Sequence, residues 1–513
     1  MKEHMRRFAL LSALFLLTAP AGIDAAVTLP KLFSDHMMLQ QNVPVRVWGK
    51  ASPGEHVRIS FRDQAVSTRA DGQGRWEAFL RPMKPGPASL LRIEGENSIT
   101  LQDVLVGEVW VASGQSNMVW PVERSSNAEQ EIARANYPEI RLFKVALKTA
   151  EQPLEDVEGE WQVCRPETAR NFSGVGYFFA SHLHEHLRAP VGMIQSAWGG
   201  TPAEAWTSLE ALKAEPALRF YLDTWDRVMA DYPAEKLRLE EAIRQWEQAV
   251  KVAKGRGEQP PPKPREPRGP GHPHAPASLY NAMIAPLVPY AIRGAIWYQG
   301  ESNASISQAH LYRRLFQTMI LDWRQRWGQG AFPFLFVQLA NYAKTGPQSA
   351  WPELRESQAF ALQLRHTGMA VALDVGDPQD IHPTNKQEVG RRLALAARAA
   401  VYGEKVVYSG PVFRQLTRED GRLRLWFDHP GGGLAVRGGG DLKGFMISGA
   451  DRQFVPARAI IEGRTVVVSS PQVPAPVAVR YGWADDPENN LTNTEGLPAP
   501  PFRSDDWRNA RMP

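Results

Sequence analysis

Two short segments carry residues suited to acyl transfer. "VLVGEVWVASGQSNM" (104–118) is an apolar run that ends at Gly114-Gln115-Ser116-Asn117, and "DVGDPQDIHPTNK" (374–386) holds His382 two residues after Asp380. A serine hydroxyl becomes a useful nucleophile when a base takes its proton, a third group orients the base, and N–H donors meet the developing oxyanion. Ser116, displayed at the end of a strand, is the candidate nucleophile, and His382 is the candidate base. In an extended segment residues two apart point to the same side. Asp380 is therefore expected to bond one imidazole nitrogen while the other faces the serine. Asp377 and Asp374 compete for that role through a turn, with Asp377 as the reserve.

Two further strand-end segments supply candidate donors. In "WGGTPAEAW" (198–206), Gly199 and Gly200 follow the strand "VGMIQ". Paired glycines let a backbone N–H face a site with no side chain in the way. In "WYQGESN" (297–303), Gln299 offers an amide hydrogen to an oxyanion and Glu301 a carboxylate to brace the loop. Asn117, beside the nucleophile, is grouped with Glu301 as a substrate contact or loop support. "HLHEH" (182–186) puts His182 and His186 at helical spacing, but it lacks the HExxH order and a third ligand, so no metal is assigned. Cys164 is the only cysteine, which excludes an intramolecular disulfide and reads as packing. No cofactor is called for.

Such residues need a scaffold that presents strand ends side by side, and parallel sheets build sites at the C-terminal ends of their strands. From 105 to 404 apolar strands alternate with helical patterns, which predicts a mostly parallel sheet covered by helices. An insertion at about 208–276 interrupts it. Its first part is helical, with Leu239, Ala242, Ile243, Trp246 and Val250 on one face; its second part is proline-rich and reads as a lid or spacer. "TNKQEVGRRLALAARAAVYG" is an amphipathic helix, with Thr384 and Gln387 spaced as a capping box and Gly403 after its end. Residues 26–104 alternate apolar and polar side chains around turns, as in a small β-sandwich, and the β rhythm returns over 405–513. The glycine-rich stretch 429–445 has neither a strand–Gly–helix pattern nor GK[ST], so it is not a phosphate loop.

A 513-residue chain is too long for one ordinary domain. Its net charge of +4 is spread along the chain without an arginine-rich arm or zinc-finger spacing, which argues against nucleic acid as a partner. The 16 tryptophans suit sugar stacking, although most are expected to pack in cores. "MKEHMRRFALLSALFLLTAPAGIDAAV" has a basic start, a short apolar core and small residues near Ala25, the pattern of a signal peptide over 1–25. The apolar run is too short to span a membrane comfortably. The expectation is an exported protein, periplasmic or secreted, with no membrane span after signal removal. Its oligomeric state is left open.

Together "GQSNM", "WGGTPAEAW", "WYQGESN" and "DIHPTNKQEVG" resemble the SGNH-hydrolase superfamily, and most of all its bacterial sialate O-acetylesterase-type members. The resemblance runs over the whole chain after residue 25, including the late "RYGWADDPENNLTNTEGLPAPPF". It implies a flavodoxin-like α/β domain with jelly-roll-like β-sandwich units at both ends. It also implies Ser116 as nucleophile, His382 as base, and the N–H groups of Ser116 and Gly200 or Gly199 as oxyanion donors. Gln299 stands where many such enzymes have asparagine. One departure matters: the usual pattern has aspartate three residues before the histidine, where this chain has Gln379. The implied activity is removal of O-acetyl groups from carbohydrates, sialic acids or plant-wall xyloglucan and xylan, through an acetyl-enzyme. A noncatalytic carbohydrate-binding protein and a lipase-like esterase are the rival readings.

Overall fold

The computed structural model describes residues 26–507, so the basic and apolar segment read as a signal lies outside the described residues. The central sheet is built on one 17-residue strand, β1 (Ser98–Gly114). It is followed in the chain by β2 (Tyr137–Lys144), β3 (Trp161–Cys164), β4 (Val191–Ala197), β5 (Gly294–Tyr298), β6 (Phe334–Gln338) and β7 (Thr367–Val371). The order across the sheet is β7-β6-β5-β1-β4-β2-β3, and every pair is parallel except the β2–β3 edge. β4 and β5 are buried along their whole length because helices cover both faces, which explains why their sequences carry no charge and are mostly apolar.

Chain order reverses at β1, with β4 on one side and β5 on the other. Gly114 pairs with both Ala197 and Tyr298, so three strands end at one level. The crevice at such a switch point is where open α/β sheets bind ligands.

The covering helices include α1 (Ser116–Val119), α2 (Gly174–Leu187), α3 (Arg219–Arg256), α4 (Ala309–Trp327), α5 (Trp351–Ala359) and α6 (Lys386–Ala400). α3 is the helical part of the insertion. Its predicted face, Leu239 to Val250, is half-buried while the residues between are mostly exposed. The proline-rich segment folds back along it: the Trp246 indole N–H donates to the Pro261 carbonyl at 2.8 Å. Among the described residues no helix is long and apolar enough to cross a membrane.

The expected boundary at 104 falls inside β1. Its first half pairs antiparallel with the strand Ser89–Glu94 of the N-terminal β unit, and its second half joins the parallel sheet. One hydrophobic core accordingly runs from Val27 to Ala397, whereas a second, from Leu423 to Phe502, belongs to the C-terminal strands alone. The C-terminal unit docks through polar contacts. The Arg355 guanidinium donates to the carbonyls of Ala484 and Asp485, and Arg503 pairs with Glu356 at 2.7 Å. Trp110, Trp206, Trp297 and Trp323 are fully buried, as expected of core rings, while Trp120, Trp198, Trp225 and Trp246 keep part of their surface in solvent.

Candidate active site

Gly114 must be glycine. Its φ is +135°, and a Cβ there would sit 2.1 Å from the Tyr298 carbonyl oxygen of the neighbouring strand. This close approach turns the chain sharply out of β1 and leaves Ser116 as the first residue of α1. The first N–H groups of a helix have no intrahelical acceptor, so the Ser116 N–H is open to a ligand. Gly199 borders Ser116, since a Cβ built on it would lie 3.4 Å from Ser116 Cβ. Gly200 adopts φ +74° with open space around it.

His382 Nε2 lies 2.9 Å from Ser116 Oγ, across 266 residues of sequence. Its ring stacks on Trp120, with centroids 5.1 Å apart and planes at 16°. Asp380 Oδ1 is 3.3 Å from His382 Nδ1 and also accepts the His382 backbone N–H at 2.9 Å. The segment is therefore a side-chain-closed turn and not the extended stretch expected from the sequence; the aspartate reaches its own backbone two residues on. Asp377 caps the adjoining turn instead, accepting the Gln379 N–H at 2.8 Å. Asp374 is withdrawn into ion pairs with Arg392 (2.6 Å) and Arg437 (2.8 Å). Burial lowers the His382 pKa, opposed by Asp380 and assisted by Lys386 and Arg124. A neutral imidazole able to accept a proton results.

Beneath this pair lies a buried polar chain. Lys386 Nζ donates to Asn117 Oδ1 at 2.5 Å, and Asn117 Nδ2 donates to Glu301 Oε1 at 2.6 Å and to the Ile381 carbonyl at 3.0 Å. Burial drives both ionisable ends toward neutrality: the Lys386 pKa falls to about 7 and that of Glu301 rises. The ammonium also faces the rings of Trp120 and Tyr298. Asn117 thus ties α1 to the His382 loop and to the β5 loop. Lys386 and Trp120 were not singled out from sequence. A lysine in the first turn of a helix opposes the helix dipole, and that misfit at Lys386 is a readable signal.

Other expectations are corrected. Gln299 is fully buried, and its amide donates to Asn303 Oδ1 (2.7 Å) and the Thr201 carbonyl (3.3 Å), so both hydrogens are committed and neither reaches an oxyanion. It accepts from Tyr312 and, through Asn303, braces the "WGGTPAEAW" loop: Asn303 also binds the Ala203 N–H and Glu204. Thr384 and Gln387 do not form a capping box. Asn385 caps α6, accepting the Glu388 N–H at 3.1 Å, a contact contributing about 1 kcal/mol. Thr384 and Gln387 instead bond Ser126 and pin the His382 loop. Cys164 is buried and its thiol is pushed up to about 12, which makes it inert. His182 and His186 sit against Arg391 and Arg398, an environment that repels a cation, and among the described residues no three His, Cys, Asp or Glu side chains are grouped as a metal site.

The proline-rich insertion also reaches the site. Burial, with Arg268 and His272, lowers the His274 pKa to about 4, opposed by the nearby Gly200 backbone. A neutral imidazole from this segment therefore lies beside the glycine loop.

Comparison with known proteins gives the family. A family model described as "Carbohydrate esterase, sialic acid-specific acetylesterase" matches residues 106–235 and 269–399, leaving out most of the long helix and the proline-rich segment. A sialate O-acetylesterase from Mus musculus is 32% identical, covering 92% of this chain and 93% of its own. The Homo sapiens sialate O-acetylesterase is 30% identical, with 91% and 90% covered. The crystal structure of a carbohydrate acetylesterase from Xanthomonas citri is 40% identical, covers 94% of this chain and 100% of its own, and superposes with a TM-score of 0.80. The chain belongs to this family of carbohydrate esterases, the sialic acid-specific acetylesterases.

Proposed function

We propose that this carbohydrate O-acetylesterase works through an acetyl-enzyme on Ser116 and acts on O-acetylated glycans outside the cytoplasm. The observation that carries the mechanism is the 2.9 Å contact between His382 Nε2 and Ser116 Oγ at the switch point of the sheet. Ser116 Oγ attacks the acetyl carbonyl as His382 Nε2 takes its proton, and Asp380 holds Nδ1–H and the imidazolium that forms. The N–H groups of Ser116 and of Gly199 or Gly200 stabilise the oxyanion. His382 returns the proton to the departing sugar hydroxyl. Water, activated by the same imidazole, then releases acetate. Trp120 and the Asn117–Lys386 chain keep the imidazole in place.

The exported location rests on the basic, apolar and small-residue order of residues 1–25. The substrates in view are O-acetylated sialic acids, as the names of the curated relatives suggest, and acetylated xyloglucan and xylan. Acetate release across that panel identifies the sugar. Ser116→Ala is expected to abolish release while the melting temperature stays close to that of the native chain, because a partly buried hydroxyl at the first residue of α1 contributes little to packing. Full activity in Ser116→Ala, or sugar binding with no turnover of any ester, would overturn the reading in favour of another nucleophile or a binding protein.

A further inference from the structure

A cavity of about 1060 Å³, lined by neither Ser116 nor His382, lies between the first turns of α3, the short helix Leu209–Ala214 and the segment 270–278. Its size exceeds that of a usual small-ligand pocket. Two features define what it suits. Trp225 lines it with its ring partly exposed. Lys213 and Arg219 stand among Glu151, Glu215 and Asp226, so the lining carries both signs of charge with one carboxylate in excess.

A sugar meets both demands. Its C–H face stacks on an indole, and its hydroxyls pair with both signs of charge. An acyl chain would leave the charged groups unsatisfied, and a strongly anionic ligand would face an excess of carboxylates.

Position links the cavity to catalysis. His274 lies beside the Gly200 backbone, while Ala275, Pro276 and Ser278, next along the chain, line the cavity. The wall is held rigidly. The Ala277 N–H donates to the Glu204 carbonyl at 3.0 Å, the Ala150 N–H donates to the Ser278 carbonyl at 3.1 Å, and Thr149 Oγ1 donates to the Gly271 carbonyl at 2.9 Å. One short segment therefore faces the glycine loop beside Ser116 on one side and the cavity on the other. Resting on the esterase reading above, we propose that the cavity is a glycan subsite. It holds neutral sugar residues of an oligosaccharide whose acetylated residue lies at Ser116.

The test separates binding from turnover. Titration calorimetry of the full chain with unacetylated xylohexaose and an unacetylated xyloglucan heptasaccharide is expected to show binding of at least one. Affinity should fall at least tenfold in Trp225→Ala and recover in part in Trp225→Phe, which keeps a ring. Melting temperatures identify folded variants. In parallel, the ratio of kcat/KM on an acetylated oligosaccharide to that on 4-nitrophenyl acetate should fall at least tenfold in Trp225→Ala. Absence of binding by either sugar, equal affinity in Trp225→Ala, an unchanged ratio, or capture of dodecanoate in place of sugar would each overturn the subsite. Failure of the native chain to release acetate from any ester would instead overturn the esterase mechanism, since sugar binding is read without turnover.

Discussion

Replacing Asp380 by asparagine tests how much a partly exposed carboxylate contributes to a histidine base. In a buried protease triad the loss of the orienting aspartate costs about 10⁴-fold, because the imidazole adopts the wrong tautomer. Here three features reduce that figure. The Asp380 side chain is 57% exposed, its Oδ1 stands 3.3 Å from Nδ1, and the same oxygen is shared with the His382 backbone N–H. Exposed ion pairs are weak. Trp120 stacking and the pinned loop also orient the ring without the aspartate. The expected loss in kcat/KM is about 10- to 100-fold, or about 1.4–2.7 kcal/mol of transition-state stabilisation. The carboxylate raises the His382 pKa against the lowering by burial. Its removal should therefore move the acid limb of the pH profile to lower pH while the plateau falls. Acetate release measured from about pH 5 to pH 9, on variants checked by thermal melting, reads both effects. Asp377→Asn, which loses only its turn contact to Gln379, is expected to stay within about twofold. Equal or greater damage in Asp377→Asn, or an acid limb that moves upward in Asp380→Asn, would refute the reasoning.

Lys386→Met should shift the acid limb of activity upward, since the ammonium lowers the His382 pKa. It should also change the pH dependence of stability. With a folded pKa of about 7 against an unfolded value near 10.4, the unfolded state binds a proton that the folded state has lost, so stability rises from pH 7 to about pH 10. Between pH 7 and 9 that rise is about 2–3 kcal/mol, and denaturant titrations should show it missing in Lys386→Met; an unaltered slope would count against a buried, proton-releasing lysine. Gly114→Ala should cost about 3 kcal/mol or more or prevent folding, because the added methyl meets the Tyr298 carbonyl at a positive φ; a stable, active variant would contradict the close approach. Chelators should leave turnover unchanged, and strong inhibition by EDTA would point to a metal role at His182 and His186 after all.

The chain's local pattern was sufficient for the elements and for the candidate groups. An apolar run halted at Gly114-Gln115-Ser116-Asn117 marks a strand-end serine, because few other uses explain small and amide residues crowded there. Glycine pairs and the "WYQGESN" turn mark further strand ends for the same reason. The 3.6-residue period located the α6 helix and the half-buried face of α3, since burial of one side is written directly into residue order. Asp380, not Asp377 or Asp374, was also favoured, although by an argument from extended geometry that the folded turn replaces.

Tertiary structure decided what each polar side chain spends its hydrogen bonds on. Gln299 reads as a donor in sequence, but Asn303, Thr201 and Tyr312 consume its amide, and only their convergence in space shows it. Thr384 and Gln387 have the spacing of a cap and are drawn away by Ser126, 258 and 261 residues earlier. Lys386, Trp120 and His274 gain their places through packing between segments far apart in the chain, which no local period encodes. Sequence alone determined which groups are able to do acyl-transfer chemistry and which strands deliver them. The fold decided which of them meet, because distance and desolvation are properties of the packed chain and hydrogen-bond partners are shared among its distant parts.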